Sequence, residues 1–339
     1  MLAAVYVPGN ERLVLDRHYP IRELHDNEVL LKVAAAGVCH SDVALLSGVG
    51  LDTRKYIFGH EACGTPIKLG TKVDAHAVQK GKLYSVLALD NCTLGLSGGP
   101  AIFNSFGIGK DGAYAEYLIV PEDSLVPVPN GVPPEVAAIA SDAGITAYHA
   151  VQDAAQVKPG DKVLIFGVGG LGHLAVQYAK HLGATVYACD FKPAARKLAL
   201  ELGATEAFDL IELNKKTTAG FTVDTTIDFV ANNQTFNLAM ASLRGNDVHF
   251  PSRPKCVMVG ASAENLVFNT FDTLASGVQI LGSTYGDRSV LATVLDLFAK
   301  GSIRAHVHSE PLENVNKVID ELRAFEIIGR KVVIPHSKA

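Results

Sequence analysis

Lys162-Val163-Leu164-Ile165-Phe166-Gly167-Val168-Gly169-Gly170-Leu171-Gly172 is the stretch on which the reading of the fold turns. Its first five residues read as a short buried strand. The next six fit G-x-G-x-x-G and open a helix in which Leu171, Leu174, Ala175 and Tyr178 recur at helical spacing. Gly167 permits a tight turn, Gly169 lets a pyrophosphate approach the backbone, and Gly172 lets the helix pack on the strand. With Gly170 and Leu171 they form a loop that ends on a helix N-terminus, whose N–H groups and positive dipole end suit phosphate. A second strand, Thr185 to Cys189, leads to Asp190. Its carboxylate can accept hydrogen bonds from both hydroxyls of the adenosine ribose and would repel a 2′-phosphate, which favours NAD over NADP. Lys192 and Arg196 lie close enough in sequence to soften that discrimination.

Outward from this stretch the alternation continues. Ala194 to Leu202 reads as a helix stopped by Gly203, Val223 to Val230 as a strand and Gln234 to Leu243 as a helix. Lys255 to Val259 and Gln279 to Ser283 read as further strands. Strands alternating with helices imply a doubly wound parallel sheet. The N-terminal part has a different style. Glu28 to Val38 has strand character, glycine-broken segments follow, and five prolines between 121 and 134 precede a helix over Glu135 to Ala140. Beyond the alternating region come helices near Val290 to Ala299 and Glu313 to Ala324, then a last strand, Lys331 to Ile334. A chain of 339 residues suits about two domains at roughly 150 residues each.

Composition narrows the function classes. Hydrophobic residues make up 48%, charged residues 19%, and the formal net charge is −5, which disfavours both a disordered chain and one bound to nucleic acid. No apolar run approaches the roughly 18 residues of a membrane span, and Met1 to Gly9 lacks the regions of a signal peptide. A soluble cytoplasmic protein, with no membrane partner, is the expectation. The 5 cysteines are dispersed and odd in number, against a disulfide framework.

Candidate metal ligands fall outside the glycine-rich region. Cys39-His40-Ser41-Asp42 is followed by Gly59-His60-Glu61 and, much later, by Ser141-Asp142-Ala143-Gly144-Ile145-Thr146-Ala147-Tyr148. Zinc takes thiolate, imidazole and carboxylate, and a catalytic site keeps one position open. With these segments, Asp111-Gly112-Ala113-Tyr114-Ala115-Glu116-Tyr117, the glycine loop and Gly329-Arg330-Lys331, the chain resembles the zinc-dependent medium-chain alcohol dehydrogenases over nearly its whole length.

That resemblance implies an α/β protein: a GroES-like β-rich catalytic domain from both ends of the chain, residues 1–143 and 286–339, with a Rossmann NAD-binding domain, 144–285, inserted. It implies one catalytic Zn2+ held by Cys39, His60 and Asp142. Many relatives have cysteine in place of Asp142; a carboxylate donates less electron density than a thiolate. Glu61 is similar to the exchange ligand of the family, and Asp42 to the carboxylate that orients the ligand histidine. Ser41 matches the hydroxyl that receives the alcohol proton. Ala44 stands where many relatives have a second relay histidine. His40 and Arg330 are expected at the cofactor pyrophosphate, and Val259, Gly260, Thr284 and Tyr285 near the nicotinamide. The four-cysteine lobe of many relatives corresponds to Val73 to Gly112, which holds only Cys92, so one zinc per chain is expected rather than two. The implied reaction is reversible hydride transfer between a primary or secondary alcohol and its aldehyde or ketone, in a homodimer or homotetramer with Gln279 to Ser283 as a pairing edge. The alternatives are a zinc-dependent polyol dehydrogenase and a non-catalytic NAD-binding protein. The loops Leu45 to Lys55 and Leu83 to Phe106 are expected to wall the substrate pocket.

Overall fold

The computed structural model describes residues 1–48, 54–88, 105–245, 253–262 and 264–337. Cys92 and most of the two loops expected to wall a pocket lie outside the described residues. The chain forms two compact units: Met1–Gly144 with Asp287–Gly301 and Val307–Ala339, and Ile145–Gly286 with Ser302–His306. The short Ser302–His306 segment therefore belongs to the second unit, although the sequence reading placed it in the first.

The glycine-rich stretch lies in the second unit. Lys162–Phe166 is a strand whose Val163, Leu164, Ile165 and Phe166 are wholly buried, as a central strand covered on both faces must be. The sheet is entirely parallel, in the order Glu206–Phe208, Thr185–Cys189, Lys162–Phe166, Thr225–Asp228, Lys255–Met258, Gln279–Gly282. The order reverses direction at Lys162–Phe166, so the glycine loop leaves the carboxyl end of the sheet at its topological switch point, where such sheets bind ligands. Helix Pro193–Glu201 ends before Gly203, whose φ is +107°, as its expected capping role requires.

Two differences from the sequence reading have local causes. The strand expected over Val223 to Val230 is shorter, Thr225–Asp228. Asp228 Oδ1 accepts the N–H groups of Val230 (2.8 Å) and Ala231 (2.9 Å), which turns the chain out of the ladder. Strand Glu206–Phe208 and helix Leu210–Thr218 were not expected. The helix opens with a capping box: Asp209 Oδ1 accepts from Ile211 and Glu212, and Glu212 Oε2 accepts from Asp209.

In the first unit the long strand Glu28–Val38 is central. It pairs antiparallel with Glu61–Leu69 on one side and with Arg330–Ile334 on the other. Tyr117–Pro121 also pairs with its first half. The register sets Gly37 opposite Glu61 and Val38 opposite Lys331. One end of the strand thus gathers three segments distant in sequence. A second, three-stranded sheet of Val14–Asp16, Ala3–Tyr6 and Tyr56–Ile57 completes a core that includes Val5, Leu31, Phe58, Tyr114 and Val333. Asp111 Oδ1 accepts the Ile57 N–H (2.9 Å) and Glu116 Oε2 the Leu2 N–H (2.7 Å), tying the Asp111–Tyr117 segment to that sheet. No helix among the described residues is long and apolar enough to cross a membrane.

One buried group in the second unit is poorly served. The Tyr178 hydroxyl is buried without a hydrogen-bond partner among the described residues, while its ring packs edge-on to Tyr148 at 5.2 Å. An unsatisfied buried hydroxyl costs about 1–3 kcal/mol. Tyr178→Phe should therefore leave unfolding free energy unchanged or raise it by about 1 kcal/mol in urea denaturation. A clear loss of stability would show that the hydroxyl is bonded after all.

Candidate active site

The first unit places Cys39, His60, Glu61 and Asp142 together. One donor atom from each lies within 4.8 Å of the others, and all four residues are buried. Cys39 follows the end of the long strand and caps helix His40–Leu46. His60 and Glu61 stand at the start of the paired strand. Asp142 sits in a π-helical turn, Ala140–Gly144, a wide turn found frequently at functional positions. Ser141 fixes this turn: its hydroxyl donates to the Ala138 carbonyl (2.7 Å) and accepts the Ala62 N–H (3.2 Å).

Each donor is oriented by a neighbour. Asp42 Oδ1 faces His60 Nδ1 at 3.4 Å, leaving His60 Nε2 directed at the cluster, 3.5 Å from Asp142 Oδ2. Asp42 Oδ2 accepts the Cys39 N–H (2.9 Å) and the Tyr114 hydroxyl (2.6 Å). Tyr114 was missed as a site residue; it entered the sequence reading only as part of a motif. Gly59, just before His60, has φ +98°, and a Cβ there would lie 2.5 Å from the Tyr114 ring. Ser41 Oγ lies 3.5 Å from Cys39 Sγ.

Arg330, expected at a pyrophosphate, is buried here. Its guanidinium binds the Glu61 carboxylate through both Nε (3.1 Å) and Nη2, and Nη2 also lies 3.4 Å from Asp142. His40 is exposed and stacks on Phe325 at 5.7 Å.

The electrostatics suit a cation. Burial would raise the Cys39 thiol, but Arg330 and His60 outweigh it and favour thiolate. Burial, with the charges of Asp142 and Cys39, pushes Glu61 well above the usual carboxylate range against the pull of Arg330. Burial would favour neutral His60, yet the charge of Asp42 and bonds to Asp142, Asp42 and Cys39 lift it well above its ordinary value. Burial is likewise overcome at Asp142, which His60 holds low. A thiolate, an imidazole and carboxylates crowded out of water form a donor set that fits zinc.

The second unit carries the dinucleotide half. Gly167 has φ +81°, and a Cβ on Gly172 would lie 1.8 Å from the Gly167 carbonyl oxygen. At Gly169, by contrast, nothing lies within 4 Å of a Cβ, so the loop keeps an open cradle of the kind a phosphate needs. Gly170 and Leu171 complete the loop and are half-buried. Asp190 is buried and held in place: Oδ2 accepts the Val168 N–H (2.8 Å) and Oδ1 the Lys192 N–H (2.8 Å). Arg196 Nη1 donates to the carbonyls of Asp190 (2.9 Å) and Phe191 (3.0 Å), and burial lowers the Lys192 ammonium. The N–H groups of Val259 and Gly260 both donate to the Asp228 carbonyl. Thr284 is exposed; Tyr285 is buried with φ +50°.

A parallel sheet with a glycine-rich phosphate loop in one unit, and a buried thiolate–imidazole–carboxylate cluster in a β-rich unit, define a metal-dependent dehydrogenase. Residues 25–130 match the family described as alcohol dehydrogenase GroES-like domain, and residues 170–300 that described as zinc-binding dehydrogenase. The chain is 34% identical to an alcohol dehydrogenase of Geobacillus stearothermophilus, over 90% of this chain and 91% of that one. The structure is similar to that of the alcohol dehydrogenase from Aeropyrum pernix, with TM-score 0.86 and 31% identity over 99% of this chain and 100% of that one. It is also similar to an acetophenone reductase from Geotrichum candidum solved in complex with NAD, with TM-score 0.85 and 29% identity over 98% and 96% of the chains. The chain belongs to the zinc-dependent medium-chain alcohol dehydrogenases. It is an oxidoreductase of the class that uses zinc and NAD.

The pairing of Gly37 with Glu61 makes a local test. A Cβ on Gly37 would fall 1.7 Å from Glu61 Oε2, inside the carboxylate. Gly37→Ala should displace Glu61 from Arg330, destabilise the protein by about 1–3 kcal/mol as an overpacked core does, and lower zinc content. Thermal unfolding and elemental analysis of the purified variant would read both effects.

Proposed function

We propose that the protein is an NAD-dependent alcohol dehydrogenase with a single catalytic zinc, interconverting a primary or secondary alcohol and its aldehyde or ketone. The buried convergence of Cys39, His60, Glu61 and Asp142 carries this reading. Cys39, His60 and Asp142 would hold the ion, and Glu61 would stand by as a further ligand while paired with Arg330. When bound, zinc supplies Lewis-acid stabilisation of charge on an alcohol or carbonyl oxygen, and NAD supplies the hydride-accepting ring.

The side chains have separate tasks. Ser41, beside Cys39 and only partly buried, relays the alcohol proton: Oγ takes it up as its own hydroxyl proton passes on to solvent, and the relay runs backward in the reverse direction. Asp42 holds the His60 ring with Nδ1 toward itself, so that Nε2 stays available as a donor. Tyr114 and the Cys39 N–H hold Asp42 in turn. In the second unit Asp190, already fixed by two backbone N–H groups, is preorganised for the ribose hydroxyls and disfavours a 2′-phosphate. His40 would meet the cofactor from its exposed position, and Val259, Gly260, Thr284 and Tyr285 would line the nicotinamide. With Cys92 the single cysteine between Val73 and Gly112, a four-thiolate site cannot be built there. The cytoplasm is the proposed location.

A panel of primary, secondary, aromatic and polyhydric alcohols with NAD and NADP, with and without a chelator, tests the assignment. Cys39→Ala should reduce turnover to background and zinc content with it, while NADH binding by calorimetry stays near that of the parent. Near-normal activity in that variant would remove the metal from the mechanism.

We also propose that the protein self-associates through the Gln279–Gly282 edge. Among the described residues this strand pairs on one side only, and Val267, Phe271 and Leu274, shortly before it in sequence, are exposed apolar side chains. A free edge and exposed apolar side chains are each costly to leave uncovered. Leu274→Glu should shift the species seen by light scattering toward monomer; an unchanged oligomer would place the interface elsewhere.

A further inference from the structure

His173 and Gln177 lie one turn apart on the buried face of helix Gly172–His181, directly after the glycine loop. Neither is used by the chemistry described above, and the polar side-chain atoms of both meet backbone groups. His173 is wholly buried. Its Nδ1 lies 2.9 Å from the Gly169 carbonyl oxygen, and its Nε2 accepts the His306 N–H at 3.2 Å. A carbonyl can only accept and an amide N–H can only donate, so the ring is neutral with its proton on Nδ1. Gln177 does the same two residues earlier in the returning chain: Nε2 donates to the Arg304 carbonyl (2.8 Å) and Oε1 accepts the Arg304 N–H (2.8 Å). Two side chains thus serve as a pairing strand for the segment Ser302–His306, the one that joins this unit although its neighbours on both sides belong to the other.

We infer that His173 is a positioning residue for dinucleotide binding. It locks the Gly169–Gly170 peptide, while Gln177 anchors the Ser302–His306 segment behind it. This rests on the reading of the glycine loop as the phosphate site. The Gly169 carbonyl already accepts the His173 N–H (3.1 Å), and the imidazole adds a second donor. A trans peptide is planar, so fixing that oxygen toward the helix fixes the Gly170 N–H in the opposite direction. Two donors on one carbonyl also polarise the peptide and strengthen that N–H as a donor. Gly169 itself, with open space at its Cβ position, needs an anchor that its own side chain cannot provide.

Three variants separate this role from simple packing. His173→Leu should weaken NADH binding about tenfold, the worth of one hydrogen bond. His173→Asn carries a nitrogen on Cγ where the ring has Nδ1, so it should restore the donor to Gly169 and bring affinity back near the parent. Gln177→Leu should leave NADH affinity nearly unchanged but speed hydrogen exchange at the Arg304 and His306 amides. NADH fluorescence titration reads the first two against a low background, since the chain has no tryptophan; exchange mass spectrometry reads the third. The inference is overturned if His173→Leu binds NADH as the parent does, if His173→Asn is as weak as His173→Leu, or if Gln177→Leu loses as much affinity. Should His173→Leu not fold, the Asn and Gln177 arms still decide. A parent protein that does not bind NADH would overturn the dinucleotide reading itself.

Discussion

The metal cluster depends on one register. Antiparallel pairing sets Gly37 opposite Glu61 and Val38 opposite Lys331, so Cys39, the His60–Glu61 pair and Arg330 arrive at the same end of one strand. Side chains alternate along a strand, so a slip by one residue would send Glu61 to the other face of the sheet. Gly37 makes the register workable, because any larger residue would occupy the volume of the Glu61 carboxylate. Asp142 joins from a helix, and it is tied to the strand paired with that one: Ser141 bonds the Ala62 N–H next to Glu61.

The dinucleotide half was the more legible in sequence. Its signals are local: a five-residue apolar strand, glycines at fixed offsets, an acid at the end of the next strand. Each requirement is met within a few residues, so a one-dimensional reading captures it. What escaped was the neighbour of each signal. Asp190 is held by the Val168 N–H, a contact across 22 positions, and His173 reaches a segment 133 positions away. Nothing in the local pattern announces such partners. Helix Leu210–Thr218 is the exception, since Asp209 and Glu212 carry a capping box that periodicity alone passed over.

The catalytic half was legible mainly by resemblance. Cys39, His60 and Asp142 are far apart in the chain, and only the sheet register and the π-helical turn unite them. Tyr114 and Arg330 show the limit. Tyr114 could be read as part of a motif, but its bond to Asp42 arises because Gly59 lets the ring pack closely. Arg330 could be read as a cation near the cofactor; its burial and its pairing with Glu61 follow from its place next to Lys331, the partner of Val38 in the ladder.

That burial settles how the cluster balances its charge. Cys39, Glu61 and Asp142 bring three acidic groups into a space from which water is excluded, and an isolated buried carboxylate would be intolerable. Arg330 answers Glu61 with a two-point ion pair, the strongest geometry available to a carboxylate. Asp142 is then left with the outer edge of Arg330 and the His60 ring, which do not balance its charge and that of Cys39. A divalent cation held there would supply the remainder. Arg330 thus holds the Glu61 carboxyl buried and close to Cys39 and Asp142, and its two-point pairing opposes the burial that pushes that carboxyl toward its neutral form.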